Sequence, residues 1–299
     1  MAALTKDMQI EVAGVLMGPG TPYVVEDVKG VSTPELRAQD TSLPTEDGAL
    51  PGVDLYGSRS VVIEVGVRTP GDAAAAVDVL SALTRAADNR KVRRVAGALD
   101  VLRIRWPGRS TRVLFGRFRR VEEATLAQAL YGRIPVELEF AATDPTWHSD
   151  VVQQVTLPLD VSQDAGGFAA PLVAPITTGS SNPDVRPGWV ENSGDLAAWP
   201  TIKLTGPLAN PKVWVVETGK SLQFSLVLGV GERLDVETRP GTRWVLRNGS
   251  GNAAPALTNT SRLDQFVIPP GRSEIRWTAT DYTNTSRIAV SWRDSYSAL

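Results

Sequence analysis

The sequence predicts a mainly β protein with one α-helix, arranged as two domains. Three observations point there. Short apolar runs with period-two alternation recur along the chain, cut by Gly, Pro, Asn and Asp. One stretch, near 70–88, instead carries apolar residues at helical spacing between recognisable start and stop signals. A Pro/Gly/Ser-rich tract between Leu157 and Pro187 then interrupts the pattern as an inter-domain connection would. The expected organisation is an N-terminal β-sheet domain packed with one helix over 1–157, a linker over 158–187 and a β-sandwich over 188–299. A chain of 299 residues suits two domains, since single domains usually run to roughly 100–200 residues.

The N-terminal elements follow in order. A strand is expected over 8–16, and Gly18-Pro19-Gly20-Thr21-Pro22 breaks regular structure before a second strand at 23–28. Residues 29–57 hold several Pro, Gly and Asp with little periodicity and read as a long loop. Loops of that length are uncommon in compact domains unless they are functional or ordered by a partner. Pro34, Leu43, Asp54 and Tyr56 mark this stretch as a candidate partner-contact loop, against the alternative of a mobile surface loop. Val61, Ile63, Val65 and Val67 alternate on a strand at 60–68. For the helix, Thr69 is the expected cap, Pro70 the first helical residue, Asp72 the capping-box carboxylate and Asn89 a left-handed terminator. Ala73, Ala76, Leu80, Leu83 and Ala87 form its apolar face. Strands at 101–106 and 112–118 flank the turn Pro107-Gly108-Arg109-Ser110. Residues 121–131 are ambiguous, helical by propensity yet continuous with a strand, and 133–141 alternates as a strand.

In the second half, strand signals recur at the spacing of roughly 8–12 residues seen in sandwiches. They fall at 202–205, 212–217, 222–228, 233–237, 242–247, 265–268, 274–280 and 286–292. Trp189, Trp199, Trp214, Trp244, Trp277 and Trp292 crowd this half, where they serve either as core or as a sugar-stacking platform.

A net charge of -2 conceals strong polarisation. Residues 1–84 carry 12 acids and 5 bases, 85–120 carry 2 acids and 12 bases, 121–150 carry 6 acids and 1 base, and 151–299 carry 13 of each. The basic block could bind phosphate, line a solvated strand face, or meet an acidic surface on a neighbouring copy. Flanking acids and the strand-like alternation of Trp106, Phe115 and Phe118 weigh against nucleic acid.

Reaction chemistry finds little footing. There is no cysteine, which excludes disulfides and thiolate chemistry. His148 is the only histidine, expected at a surface or interface, so no multi-histidine metal site is available. Carboxylate pairs such as Glu122/Glu123, Glu137/Glu139 and Glu232/Asp235/Glu237 are spaced for solvated strand faces rather than glycosidase work. Gly-rich segments lack the Lys of a phosphate loop. No cofactor is expected. No apolar run approaches the ~20 residues of a membrane span, and the N-terminus lacks signal-peptide regions.

The order of motifs resembles the distal tail protein of siphophages over nearly the full chain. The residues that carry this are the strand at 60–68 followed by the helix from Asp72, the Pro107-Gly108 hairpin, and Val136 to Phe140 leading into Asp144-Pro145-Thr146-Trp147. In the second half they are Asn192-Ser193-Gly194-Asp195, Trp199-Pro200-Thr201, Thr218-Gly219, Leu263 to Pro270-Gly271, and Trp292-Arg293-Asp294-Ser295-Tyr296. The resemblance implies a structural virion protein with a galectin-like C-terminal sandwich. It would form a homohexameric ring between the tail tube protein and the central fibre or hub protein, contact other baseplate proteins, read no nucleic-acid sequence and touch no membrane. Arg93, Arg94, Arg103, Arg105, Arg117 and Arg119 are then the candidate subunit-interface residues, facing acids of a neighbour. Two other classes stay open. A carbohydrate-binding adhesin would use exposed Trp on the sandwich, and a cell-wall hydrolase would need a carboxylate pair.

Overall fold

The structure, a computed structural model, describes residues 4–159, 188–281, 283 and 285–299. It divides into two compact units, Met1–Asp150 with Tyr296–Leu299, and Val151–Ser295. The division falls at 150/151 rather than at 157, because the strand Gln153–Pro158 pairs with Arg287–Trp292 of the second unit. The expected linker lies outside the described residues from 160 onward.

The first unit is built on one antiparallel sheet. The sequence predicts one strand at 8–16, but two form: β1 (Gln9–Val12) and β2 (Val15–Met17). Ala13 and Gly14 adopt φ of 47° and 82° between them, the left-handed pair that a two-residue hairpin needs. β3 (Tyr23–Lys29) follows. Residues 30–58 then double back as an arm, with β4 (Leu36–Arg37) pairing β7 (Leu55–Tyr56) and β5 (Thr41–Ser42) pairing β6 (Ala49–Leu50). The expected structureless loop is thus a frayed hairpin. Its strands are two residues long, below what apolar periodicity can reveal.

β8 (Arg59–Arg68), β9 (Asp100–Arg105), β10 (Arg112–Glu123) and β11 (Arg133–Ala142) complete the main sheet, in the order β2-β1-β9-β10-β11-β8-β3, with β12 (Trp147–Ser149) beside β10. Val61, Ile63, Val65 and Val67 of β8 and Ile134, Val136, Leu138 and Phe140 of β11 are all buried on one face. Register is therefore pinned, since a slip of one residue would turn every one of them to water. Each buried side chain of this kind contributes about 1.5–3 kcal/mol. The ambiguous segment resolves as strand to Glu123, with a bulge between Phe118 and Arg120, and then a single 3-10 turn at Ala129–Tyr131. Gly132 closes that turn at φ 72°, where a Cβ would collide with the Thr69 carbonyl.

The helix α1 spans Ala73–Ala87, and its cap differs from expectation. Gly71, at φ 76°, turns the chain, and Thr69 Oγ1 donates to Asp72 O (2.8 Å), so Thr69 closes a turn ahead of the helix. Asp72 is the N-cap, accepting from Ala75 N at 2.8 Å. Ala76 and Leu83 bury against the sheet, and Tyr23 Oη donates to Val79 O (2.9 Å), tying the helix to β3. Asn89 is not left-handed, having φ −70°. Its side chain accepts from Lys91 N (3.2 Å) and starts a short helix α2 (Arg90–Arg93).

The second unit packs two antiparallel sheets on one core that includes Ile202, Leu204, Val213, Phe224, Phe266 and Val290. In order, its strands are β13 (Gln153–Pro158), β14 (Trp189–Asn192), β15 (Thr201–Thr205), β16 (Leu208–Val215), β17 (Ser221–Gln223), β18 (Val227–Leu228), β19 (Arg233–Glu237), β20 (Trp244–Arg247), β21 (Gly251–Asn252), β22 (Gly271–Thr280) and β23 (Arg287–Trp292). One sheet runs β13-β23-β15-β19-β20-β21, the other β14-β22-β16-β17 with β18 beside β16. The strand expected at 265–268 is replaced by a 3-10 turn (Leu263–Gln265) and a single bridge from Ile268 to Ala198. Pro269 and Pro270, having no N–H, cannot extend that pairing. The Asn192-Ser193-Gly194 motif is structural. Fully buried Asn192 donates to the carbonyls of Leu196 (2.8 Å) and Ile268 (3.2 Å), and its Oδ1 accepts from Gly194 N (3.1 Å).

Candidate interaction surfaces

The six candidate interface arginines do not form one surface. Arg103 on β9 is buried, and its guanidinium binds Glu11 on β1 and Asp150, with Nε 2.9 Å from Asp150 Oδ1. Cross-strand register places Glu11 directly opposite Arg103. Both carboxylates belong to the same unit, so Arg103 is an internal cation and cannot be the exposed contact that the sequence suggests. Arg105, half exposed, donates to Leu4 O (3.1 Å) and pairs with Asp7 (3.3 Å), fastening the N-terminal segment to β9.

The other four lie together. Arg117 donates to Val95 O (2.6 Å) and Ala98 O (2.9 Å), which holds the loop after α2 against β10. Arg119 is the extra residue of the β10 bulge and is exposed. Bulges re-aim side chains in this way. Arg93, paired with Asp88 (3.1 Å), and Arg94 stand exposed on α2 and its C-cap. Arg93, Arg117 and Arg119 line a cleft of about 290 Å³ with Val92, Asn89, Phe118 and Asp100. Burial raises the Asp100 carboxyl above its ordinary value, and the Asn89 hydrogen bond (3.0 Å) and Arg117 only partly counter this.

The arm presents the opposite chemistry. Its residues 34–56 include five acids (Glu35, Asp40, Glu46, Asp47, Asp54) and one base, Arg37. Its apolar side chains face solvent: Val53 is 65% exposed, Leu50 59% and Tyr56 54%. Of the residues expected to make partner contact, Asp54 and Tyr56 are exposed, and Pro34 and Leu43 half-buried. The root is anchored by Arg59, 1% exposed, which donates to Val31 O (2.8 Å), Gly30 O (3.3 Å), Ser32 O and Pro145 O (2.9 Å) and sits 5.3 Å from the Trp147 ring centroid. Sequence reasoning missed Arg59, since a lone Arg at a strand start carries no periodic signal.

A row of acids was also invisible before register was known. Asp27, Glu64, Glu137 and Glu122 stand directly opposite one another across β3, β8, β11 and β10, on the face away from the core. Such like-charge pairing is unfavourable. Lys29, bonded to Glu64 and 3.8 Å from Asp27, and Arg120, bonded to Glu122, offset it.

Other expected chemistry resolves differently. His148 is buried, contrary to expectation, with Nε2 3.2 Å from Asp144 Oδ2 and its ring 5.6 Å from that of Phe115. Burial pushes the Asp144 carboxyl up, but bonds from His148 and Thr146 outweigh it and hold the group below its ordinary value. Trp277 and Trp292 are buried, their indole N–H groups bonded to Pro158 O (3.0 Å) and Glu191 O (3.2 Å). Among the described tryptophans of the second unit, Trp244 is the exposed one, at 37%, which makes no stacking platform. Among the described residues, no cluster of three or more His, Asp or Glu suits a metal ion.

The first unit is thus an antiparallel sheet carrying α1, the short α2 and a long arm, and the second is a separate two-sheet β unit. No family model matches the chain, and no curated protein does. Among solved structures, the Dit protein of phage SPP1, described as a paradigm of the hub adsorption apparatus in phages infecting Gram-positive hosts, matches 97% of this chain and 99% of its own, with a TM-score of 0.57 and 15% identity. A chain of the phage P2 baseplate, in the activated conformation with Ca, matches 96% of this chain and 98% of its own, with a TM-score of 0.54 and 9% identity. The chain has the Dit fold over nearly its whole length.

Proposed function

We propose that the chain is a structural protein of a siphophage tail tip, without enzymatic activity. In this reading its first unit forms a hexameric ring joining the distal end of the tail tube to the central fibre or hub, and its second unit is a galectin-like arm that meets other baseplate proteins. Assembly takes place in the host cytoplasm and the protein resides in the virion. The observation that carries this reading is the match to a Dit hub protein across both units, rather than across one common β module. Two features lend support. The first unit bears chemically opposite surfaces, the cationic α2 cleft and the acidic arm, as a heterologous head-to-tail contact requires. Of the six tryptophans expected to build a sugar platform, two are core, three are half-buried and only Trp244 is exposed, which favours assembly over adhesion.

Electron microscopy of the purified protein tests the reading. Six-fold rings with peripheral lobes are expected at low salt. A monomer at every salt and protein concentration, also when mixed with the tail tube and hub proteins of its phage, would overturn it.

A further inference from the structure

The arm and the cationic cleft are complementary in two respects, and neither is satisfied among the described residues. Among the described residues, the hydrogen bonds of 38–54 stay inside the arm, from Gly52 N to Asp40 Oδ1 (3.0 Å) and from Leu43 N to Gly48 O (3.2 Å). No ion pair of the described residues involves the arm's acids, and Arg90, Lys91, Arg94 and Arg119 likewise enter none. Val53, Leu50 and Tyr56 project into solvent on the arm, while the cleft offers Phe118 and Val92 between its arginines. Two-residue strands in a 23-residue excursion bury too little to hold a fixed position alone. Such a segment gains order by laying its apolar and acidic side chains on a surface of matching character.

We propose that the arm of one copy seats in the α2–β10 cleft of the next. Asp47, Glu46 and Asp54 meet Arg93, Arg94 and Arg119, and the apolar arm residues lie over Phe118 and Val92. The contact is heterologous: each copy gives an arm and receives one, so repetition closes a ring or continues as a filament. This inference rests on the self-assembly reading above and specifies its interface. It also assigns Asp100 a role: an ionised carboxylate inside the cleft weakens the seat for an acidic arm, so the contact tightens as Asp100 is neutralised. The groups facing Asp100 are Asn89 and Arg117, with Arg93 and Arg119 in the same cleft.

The chain has no cysteine, so introduced pairs report contacts without background. The full-length D47C/R119C variant, oxidised at low salt, should give a ladder of disulfide-linked species at least about tenfold stronger than D47C paired with E64C, which places the second thiol on the acid row. Independently, R93E/R119E should weaken assembly about tenfold, E46K/D47K likewise, and the combined four-fold variant should restore it. The contact should also weaken as salt rises, because exposed charges are screened. Rings that form with no excess of arm-to-cleft cross-links, or reversals that neither weaken assembly nor rescue one another, overturn this interface and leave the assembly reading intact. A monomer under all conditions, without cross-links, overturns both.

Discussion

Two parts of one cationic stretch solve opposite problems. On β9, Arg103 is taken out of water and held by Glu11 and Asp150, each partner within the same unit. Around α2 and Arg117, basic side chains are instead left at or near the surface: Arg117 bonds backbone carbonyls, Arg93 pairs with exposed Asp88, and Arg94 and Arg119 enter no ion pair among the described residues. The first arrangement ties β9 to β1 within the sheet, and the second leaves charge free for a partner. Electrostatic energy differs accordingly: removing one member of a buried pair costs about 3–5 kcal/mol, whereas exposed pairs contribute about 0–1 kcal/mol.

Arg103→Leu is the substitution that separates the two most sharply. It strands Glu11, itself buried, without its counter-charge, and should lower unfolding free energy by about 3–5 kcal/mol in a denaturant titration. A loss below about 1 kcal/mol would mean that Arg103 is no more internal than its neighbours, and the contrast would collapse. Charge reversal at Arg103 therefore reports folding, and interface tests belong on Arg93, Arg94 and Arg119. Arg59→Ala comes next. It leaves the partly buried carbonyls of Gly30, Val31 and Pro145 without this donor, at about 1–3 kcal/mol. Because three of its acceptors lie at the arm root, hydrogen exchange should accelerate at 30–33 more than in β8 or β11. Uniform acceleration would deny Arg59 its anchoring role.

The β pattern, the helix and the polarised charge were legible because each leaves a periodic or compositional trace over eight or more residues. The strand face of Val61, Ile63, Val65 and Val67 is such a trace. What was not legible depends on pairing between distant residues. No property of residues 100–105 alone tells that Arg103 points at Glu11 while Arg119 is pushed outward by a bulge, since strand register and bulge position decide both. Local dihedrals decided the helix start, where Gly71 at positive φ moved the cap from Thr69 to Asp72. The arm hid for a third reason: its strands are too short to show alternation, and its apolar residues are exposed, which inverts the rule by which strands are recognised.

Arg105 tests the middle of the range. Its bonds to Asp7 and Leu4 are half exposed, so Arg105→Ala should cost no more than about 1 kcal/mol, with loosened exchange protection confined to residues 4–9. A cost near that of Arg103→Leu would place Arg105 with the internal cations and move the boundary between the two classes outward along β9.

The smallest effect is also the one whose sign is most informative. Asp100 sits at the junction of the two regions, at the start of β9 and in the α2 cleft, and burial raises its carboxyl above the ordinary 3.8. As pH rises from about 3, the unfolded chain releases this proton before the folded one does, so the folded state binds more protons in that window and loses stability with rising pH. The penalty then persists once the folded carboxyl has ionised as well. Asp100→Asn keeps an oxygen to accept from Asn89 and removes the buried charge. Its melting temperature should match wild type near pH 3 and exceed it slightly at pH 7. A variant less stable than wild type at pH 7 would mean that attraction to Arg117 outweighs burial, and the cleft would then be an internally balanced ion-pair site like that of Arg103 rather than a surface with positive charge to spare.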